Sequence, residues 1–203
     1  MYAGIKRFFD IVVSILALIC FSPFFLIVFI LDLFGDNRGP VLYSQVRVGK
    51  DHKNFKILKF RSMVVGADQK LAADPELFAK YVANNYKLPS GEDPRVTKLG
   101  AFLRKTSLDE VPQFLNILSG KMTLIGPRPV VEPELEEYGS RVDLLLSVKP
   151  GAMGYWQANG RSNVGYPERC NLELYYVKNA SLGFDIRILL KNIYSIFRSE
   201  GAF

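Results

Sequence analysis

An uncharged apolar run over residues 11–31, IVVSILALICFSPFFLIVFIL, constrains this chain more than any other feature. As a helix it would rise about 30 Å, enough to match the core of a bilayer. It is too long for the apolar core of a cleavable leader, and no small-x-small cleavage site follows it. Two details argue against a plain spanning helix. Ser22-Pro23 falls near its middle, where proline removes a helical hydrogen bond and bends the axis. Cations also flank both ends, Lys6 and Arg7 before it and Arg38, Arg47, Lys50, Lys53, Lys56, Lys59 and Arg61 after it. Such flanks favour the cytoplasmic face on both sides. A helix that enters, breaks at Ser22-Pro23 and leaves by the same face meets both facts, provided Ser22 helps satisfy the freed backbone groups. The expected organisation is a re-entrant anchor over residues 1–34 and one domain over residues 35–203.

Composition narrows the chemistry. The 203 residues are 49% hydrophobic, with 15 Phe and 10 Tyr, so one packed core is easily supplied. Lys and Arg number 26 against 20 Asp and Glu, a formal charge of +6. A basic chain suits nucleic acid, anionic lipid or phosphate-bearing substrates. Here the cations gather beside the apolar run, where a duplex fits poorly, so nucleic acid is not an expected partner. Cys20 and Cys170 form neither a disulfide framework nor a zinc pattern, and a reducing compartment is the simplest setting. His52 is the only histidine, which argues against a His-based triad or a multi-His metal site. The chemistry is left to carboxylates, cations and backbone groups.

The pattern predicts an α-rich α+β fold with a small antiparallel hairpin. Strands are expected over 41–48 and 55–63, joined through 49–53. Helical segments follow over 67–87, with a break at Asp74-Pro75, then 96–104, 107–118 and most of 132–148. Residues 149–166 read as a glycine-rich loop, and 171–178 and 184–199 as further helices. The last helix places Ile186, Leu189, Leu190, Ile193 and Phe197 on one face. Arg187, Lys191 and Arg198 lie on the other. That suits a helix packed on the core or an amphipathic helix at a membrane interface.

Three stretches carry candidate chemistry. RKTSLDEVPQF, over 104–114, fits a capping box between Ser107 and Glu110. It also fits two adjacent carboxylates beside free N–H groups, an electropositive place for phosphate. In that second reading Asp109 is a nucleophile, and Glu110 holds a divalent cation or handles a proton. LIGPRPV, over 124–130, fixes Arg128 between prolines, as a surface turn or a planar grip on phosphate. KPGAMGYWQANGR, over 149–161, offers close backbone approach plus Gln157, Asn159 and Arg161. Tyr155 and Trp156 fit the core better than a stack on a base. Lys59 and Arg61 suit either a charged edge strand or phosphate binding.

In order, KRFFD, Ser22-Pro23, KFRSM, TSLDEVPQF, IGPRP, KPGAMGYWQANGR and LELYYVKN closely resemble the blocks of the bacterial sugar transferases. These are the monotopic phosphoglycosyl transferases. The resemblance runs from about Lys6 to the C-terminal helix, and residues 67–94 look like the insert of the hexose-1-phosphate branch. The extra N-terminal helices of larger members are not expected here. The resemblance implies a re-entrant helix, an active site on the cytoplasmic face of the bacterial inner membrane, and a magnesium ion at Asp109 and Glu110. It further implies attack by Asp109 on the sugar-bearing phosphate of a UDP-sugar, UMP release, and transfer of the phosphosugar to undecaprenyl phosphate. Lys59, Arg104 and Arg128 match phosphate-contacting positions, with Arg161 a weaker match. A homodimer is left open. Ala152-Met153, Ala158 and Glu173 depart from the commoner residues at their positions, which bears on sugar preference and loop detail. A rival from another class is a non-catalytic anchor that binds anionic lipid, but such an anchor needs neither carboxylate.

Overall fold

The computed structural model describes residues 2–83, 88, 91–160 and 164–197. Helix α1, Tyr2–Leu31, is apolar and largely exposed along its length, and it is long and apolar enough to cross a membrane. It continues through Pro23. The Ser22 hydroxyl donates to the Ile19 carbonyl at 2.8 Å, the very oxygen that loses its partner because Pro23 has no N–H. Ser22 therefore supplies the compensation that Pro23 requires.

Both ends of α1 are clamped to one body. At the N-terminal end the charges of KRFFD turn inward. Lys6 Nζ donates to Asp185 at 2.6 Å and to the Ile125 carbonyl at 2.7 Å. Arg7 donates to the Ile117 and Leu118 carbonyls, and Asp10 accepts from the Thr123 hydroxyl and the Leu124 N–H. At the C-terminal end Val28 is fully buried with Phe60, Leu103 and Val111, and Phe24 and Phe25 pack on Phe60. Asp32 receives Arg61 at 3.2 Å.

Strands β1, Leu42–Val48, and β2, Asn54–Phe60, form the expected antiparallel hairpin, with Tyr43 opposite Lys59 and Arg47 opposite Phe55. Residues directly opposite share a face. Arg47, Gln45 and Lys59 therefore lie on the face that buries Phe55 and Ile57. Helices α2, Ala67–Ala72, and α3, Pro75–Ala83, part at Asp74-Pro75 as expected, and α4 spans Lys98–Thr106.

The expected helix over 107–118 is corrected. Ser107 adopts a left-handed conformation (φ 58°) that ends α4, and Leu108–Glu110 is a single 3-10 turn. Pro112 cannot donate to the Leu108 carbonyl, so helix α5 begins afresh at Gln113 and runs to Leu118. The Ser107 side chain makes no cap bond.

A second correction is a short parallel pair, β3, Thr123–Ile125, with β4, Gly151–Met153, where only loop was expected. It joins two of the sequence blocks. Gly126 N donates to the Met153 carbonyl and Gly151 N to Pro127. A Cβ on Gly151 would collide with the Gly126 backbone, so this approach requires glycine.

The segment 132–148 is mostly a 3-10 stretch, Glu132–Arg141, kinked at Gly139, then a short α6, Val142–Leu145. Helices α7, Glu168–Asn179, and α8, Leu182–Phe197, close the body. The apolar face of α8 is split. Ile188 is buried and Leu189 packs on the core, while Ile186 (58% exposed), Leu190 (62%), Ile193 and Tyr194 face outward.

Candidate active site

Lys59, next to last in β2, stands between the two carboxylates of the 3-10 turn. Its Nζ lies 2.7 Å from Glu110 Oε1 and 3.9 Å from Asp109 Oδ2. The strand is locked to the following helix by Asn116, which donates to the Lys56 carbonyl at 2.8 Å and accepts from Leu58 N at 2.9 Å. Glu110 thus turns to Lys59 instead of closing a capping box with Ser107, and the helix-cap reading of the pair falls away.

An open cleft begins at this pair. Arg47, Lys59, Glu110, Gln113, Arg128, Gly151 and Gln157 contribute to its lining. Of the residues singled out from sequence, Lys59, Glu110, Arg128 and Gln157 line it, with Asp109 beside them and its side chain 14% exposed. Arg104, in the last turn of α4, lies within electrostatic reach of Asp109, and its Nε donates to Ser62 Oγ at 2.9 Å. Gln157 accepts from Gly154 N, which fixes the loop over 154–157.

Other expected site residues fall elsewhere. Arg61 does not join the cleft. It is buried, and its guanidinium is occupied by Asp32 and by the carbonyls of Asn37, Pro40 and Met63. It fastens the end of α1. Asn159 is exposed and bonds to the Tyr155 carbonyl, outside the cleft lining. Arg161 lies outside the described residues. Arg47 and Gln113 are cleft residues that the sequence reading did not assign. The Q-x-R alternation of β1 and the VPQF block held the signals for them.

Arg128 is held from behind. Its N–H donates to both oxygens of Glu173, at 3.1 and 3.2 Å, and its guanidinium lies 5.6 Å from the centre of the Trp156 ring. Arg169 stacks on that ring at 4.7 Å. Trp156 is core, as expected, yet it also spaces two guanidiniums. Burial pushes the fully enclosed Glu173 up to about 7, against the N–H of Arg128 and the charges of Arg169 and Arg128.

Burial also dominates at Asp109 and raises it to about 6. The Lys59 charge opposes this, the Glu110 charge adds to it, and Arg104 opposes it. The result is a carboxylate that is ionised at neutral pH but poorly solvated, the condition in which an anionic oxygen attacks well. Arg104 is in turn lowered by burial, which the Asp109 charge partly offsets.

Among the described residues no cluster of three metal-ligating side chains occurs. Magnesium does not need one, because it is commonly held by one or two carboxylates with substrate phosphates and water completing its shell. The adjacent Asp109 and Glu110 fit that requirement.

A family profile described as bacterial sugar transferase matches residues 1–199. The undecaprenyl-phosphate galactose phosphotransferase of Salmonella typhimurium is 44% identical over 203 residues, covering 98% of this chain and 42% of that protein. The exopolysaccharide production protein ExoY of Sinorhizobium fredii is 43% identical over 202 residues, covering 98% of this chain and 88% of that one. The UDP-glucose:undecaprenyl-phosphate glucose-1-phosphate transferase of Escherichia coli is 37% identical over 207 residues, covering 98% and 41%. The chain thus spans under half the length of the first and third of these relatives and most of the second.

Proposed function

The chain belongs to the bacterial sugar transferase family, and from that premise we propose that it moves a sugar-1-phosphate from a UDP-sugar to undecaprenyl phosphate. The observation that carries this reading is the placement of Asp109 and Glu110 around Lys59, at the edge of a cleft lined by Arg128. A lipid-binding anchor would have no use for a buried carboxylate there.

In the proposed first step an Asp109 oxygen attacks the sugar-bearing phosphorus. The bond from that phosphorus to the bridging oxygen breaks, its electron pair stays on the oxygen, and UMP departs. In the second step a phosphate oxygen of undecaprenyl phosphate attacks the same phosphorus. The aspartyl bond breaks, the carboxylate is restored, and undecaprenyl-diphospho-sugar leaves. Lys59 and Arg104 offset the anionic charge that Asp109 faces on approach. Arg128, braced by Glu173 and Trp156, grips phosphate oxygens with a planar fork. A magnesium ion bound by Asp109 and Glu110 would neutralise phosphate charge.

The membrane reading is monotopic. A spanning helix would separate its ends by about 30 Å of hydrocarbon. Here Lys6 and Asp32, at the two ends of α1, are both ion-paired to the same body, which supports a re-entrant anchor whose ends share one face. The exposed apolar stripe of α8 supports an interfacial role for that helix. The active site then faces the cytoplasm at the bacterial inner membrane.

The test is to incubate purified protein with undecaprenyl phosphate, magnesium and a panel of UDP-sugars while measuring UMP. Release with at least one donor, dependent on Asp109, is expected. No release with any donor, alongside tight binding to anionic vesicles, would return the protein to the anchor reading.

A further inference from the structure

Three guanidiniums gather at the cleft, Arg47 and Arg128 in its lining and Arg169 beside them, and their counter-charge is thin. Arg47 Nη1 lies 3.4 Å from Glu134 Oε2, and Arg169 Nη1 lies 3.7 Å from Oε1 of the same carboxylate. Arg128 is the third, and its charge, after burial, is the largest influence lowering Arg47. Glu173, the other nearby acid, is fully buried and spends both oxygens on the Arg128 N–H. Partly buried cations with too few matching anions are costly, so an anion entering beside Arg47 and Arg128 is strongly favoured.

Arg47 is built to receive one. It lines the cleft together with Arg128. Its Nη2 is steered by Gln45 Oε1 at 2.7 Å and its Nη1 by the Pro129 carbonyl at 3.1 Å, while its buried Nε–H has no acceptor among the described residues. The fork is therefore oriented by two neutral oxygens and a longer contact with Glu134, and it retains donor capacity.

We propose that Arg47 and Arg128 together form a phosphate-monoester subsite, occupied in turn by the departing nucleoside monophosphate and by the incoming lipid phosphate. The inference rests on the transfer reading above and adds a residue and a location to it. Attacking and leaving oxygens lie roughly in line in phosphoryl transfer. If Asp109 attacks from one side, the nucleoside monophosphate leaves from the opposite side. In the second step Asp109 is itself the leaving group, so the lipid phosphate must attack from the place just vacated. One cationic subsite can therefore serve both steps.

The test is a binding comparison that needs no turnover. UMP and uridine differ only in the phosphate, so the ratio of their affinities reports the subsite alone. In the wild type UMP should bind roughly tenfold or more tightly than uridine. Arg47→Gln should erase most of that ratio, leaving uridine affinity and the melting midpoint close to wild type. It should also slow discharge of the labelled enzyme onto polyprenyl phosphate by roughly ten- to a hundredfold. Should Arg47→Gln fail to fold, Arg47→Lys keeps a charge and a donor for Pro129 while losing the fork, and should lower the ratio in part. A folded variant of either kind with the wild-type ratio would overturn the proposal and leave Arg47 as a brace for the Pro129 loop. If instead the ratio collapses but no donor ever releases UMP, the subsite stands and the transfer reading fails.

Discussion

At Asp109, enclosure by the protein outweighs the two cations, and the folded carboxyl titrates at about 6 against an ordinary 3.8. A raised folded value means the folded state holds the proton more tightly than the unfolded chain. The stability from this group is full below about pH 4 and is lost as pH rises through about 6. Asp109→Asn should therefore raise stability by ~1–3 kcal/mol above pH 6, leave it nearly unchanged below pH 4, and abolish turnover. Melting curves at pH 4 and pH 8 in magnesium-free buffer check the sign. A gain at both pH values would mean that some interaction other than the buried charge is responsible. At Arg128 the fork matters more than the charge, so Arg128→Lys should cut turnover by roughly tenfold or more at unchanged net charge. Near-normal turnover would return Arg128 to a surface turn. Asp109, Glu110, Lys59, Arg128 and Gln157 were legible because each stands in a dense local block of special residues. Arg47 was not, because a lone cation on a strand beside an apolar run reads as a flank until its strand partner is known. Arg61 misled for the converse reason: only the fold reveals Asp32 waiting for it.

Among the elements, α1 was the most legible, since an uncharged run of that length has few other uses. The Ser22 hydroxyl on the Ile19 carbonyl explains how proline is tolerated there without leaving an orphan acceptor in an apolar setting. Pro23→Ala restores the missing N–H and should stiffen α1 enough to push some molecules into a spanning orientation. In a Cys20→Ser background, Ala3→Cys and Asp36→Cys both sit at exposed positions. With Pro23 present, both should react with an impermeant thiol reagent only from the cytoplasmic side. Labelling of the two from opposite sides would exclude a re-entrant α1. The β1–β2 hairpin and the α2–α3 break were also readable, from alternation and from Asp74-Pro75. The 3-10 turn at Asp109 was hidden, because Ser-x-x-Glu reads locally as a cap and only Lys59, far away in sequence, draws Glu110 off it. The β3–β4 pair was hidden too. Three-residue strands carry almost no periodicity, and this pair is specified by the contact between Gly126 and Gly151.

Seen whole, one body grips both ends of an apolar helix and presents the exposed stripe of α8 as a second apolar surface. Its cleft is assembled from distant parts of the chain: Arg47 of β1, Ile57 and Lys59 of β2, Glu110 of the 3-10 turn, Arg128 after β3 and Gly151 of β4. Such an arrangement suits a reaction joining a water-soluble donor to a lipid acceptor, since only the acceptor must reach the membrane. In the proposed mechanism the phosphosugar passes through Asp109. The decisive measurement supplies UDP-sugar labelled in the sugar, with magnesium and without undecaprenyl phosphate, and follows label on the denatured protein. About one label per active chain is expected, with matching UMP release, loss of that label on adding undecaprenyl phosphate, and none on Asp109→Asn. Complete transfer to lipid by a wild-type protein that never carries label, or normal turnover by Asp109→Asn free of deamidation, would exclude a covalent intermediate on Asp109.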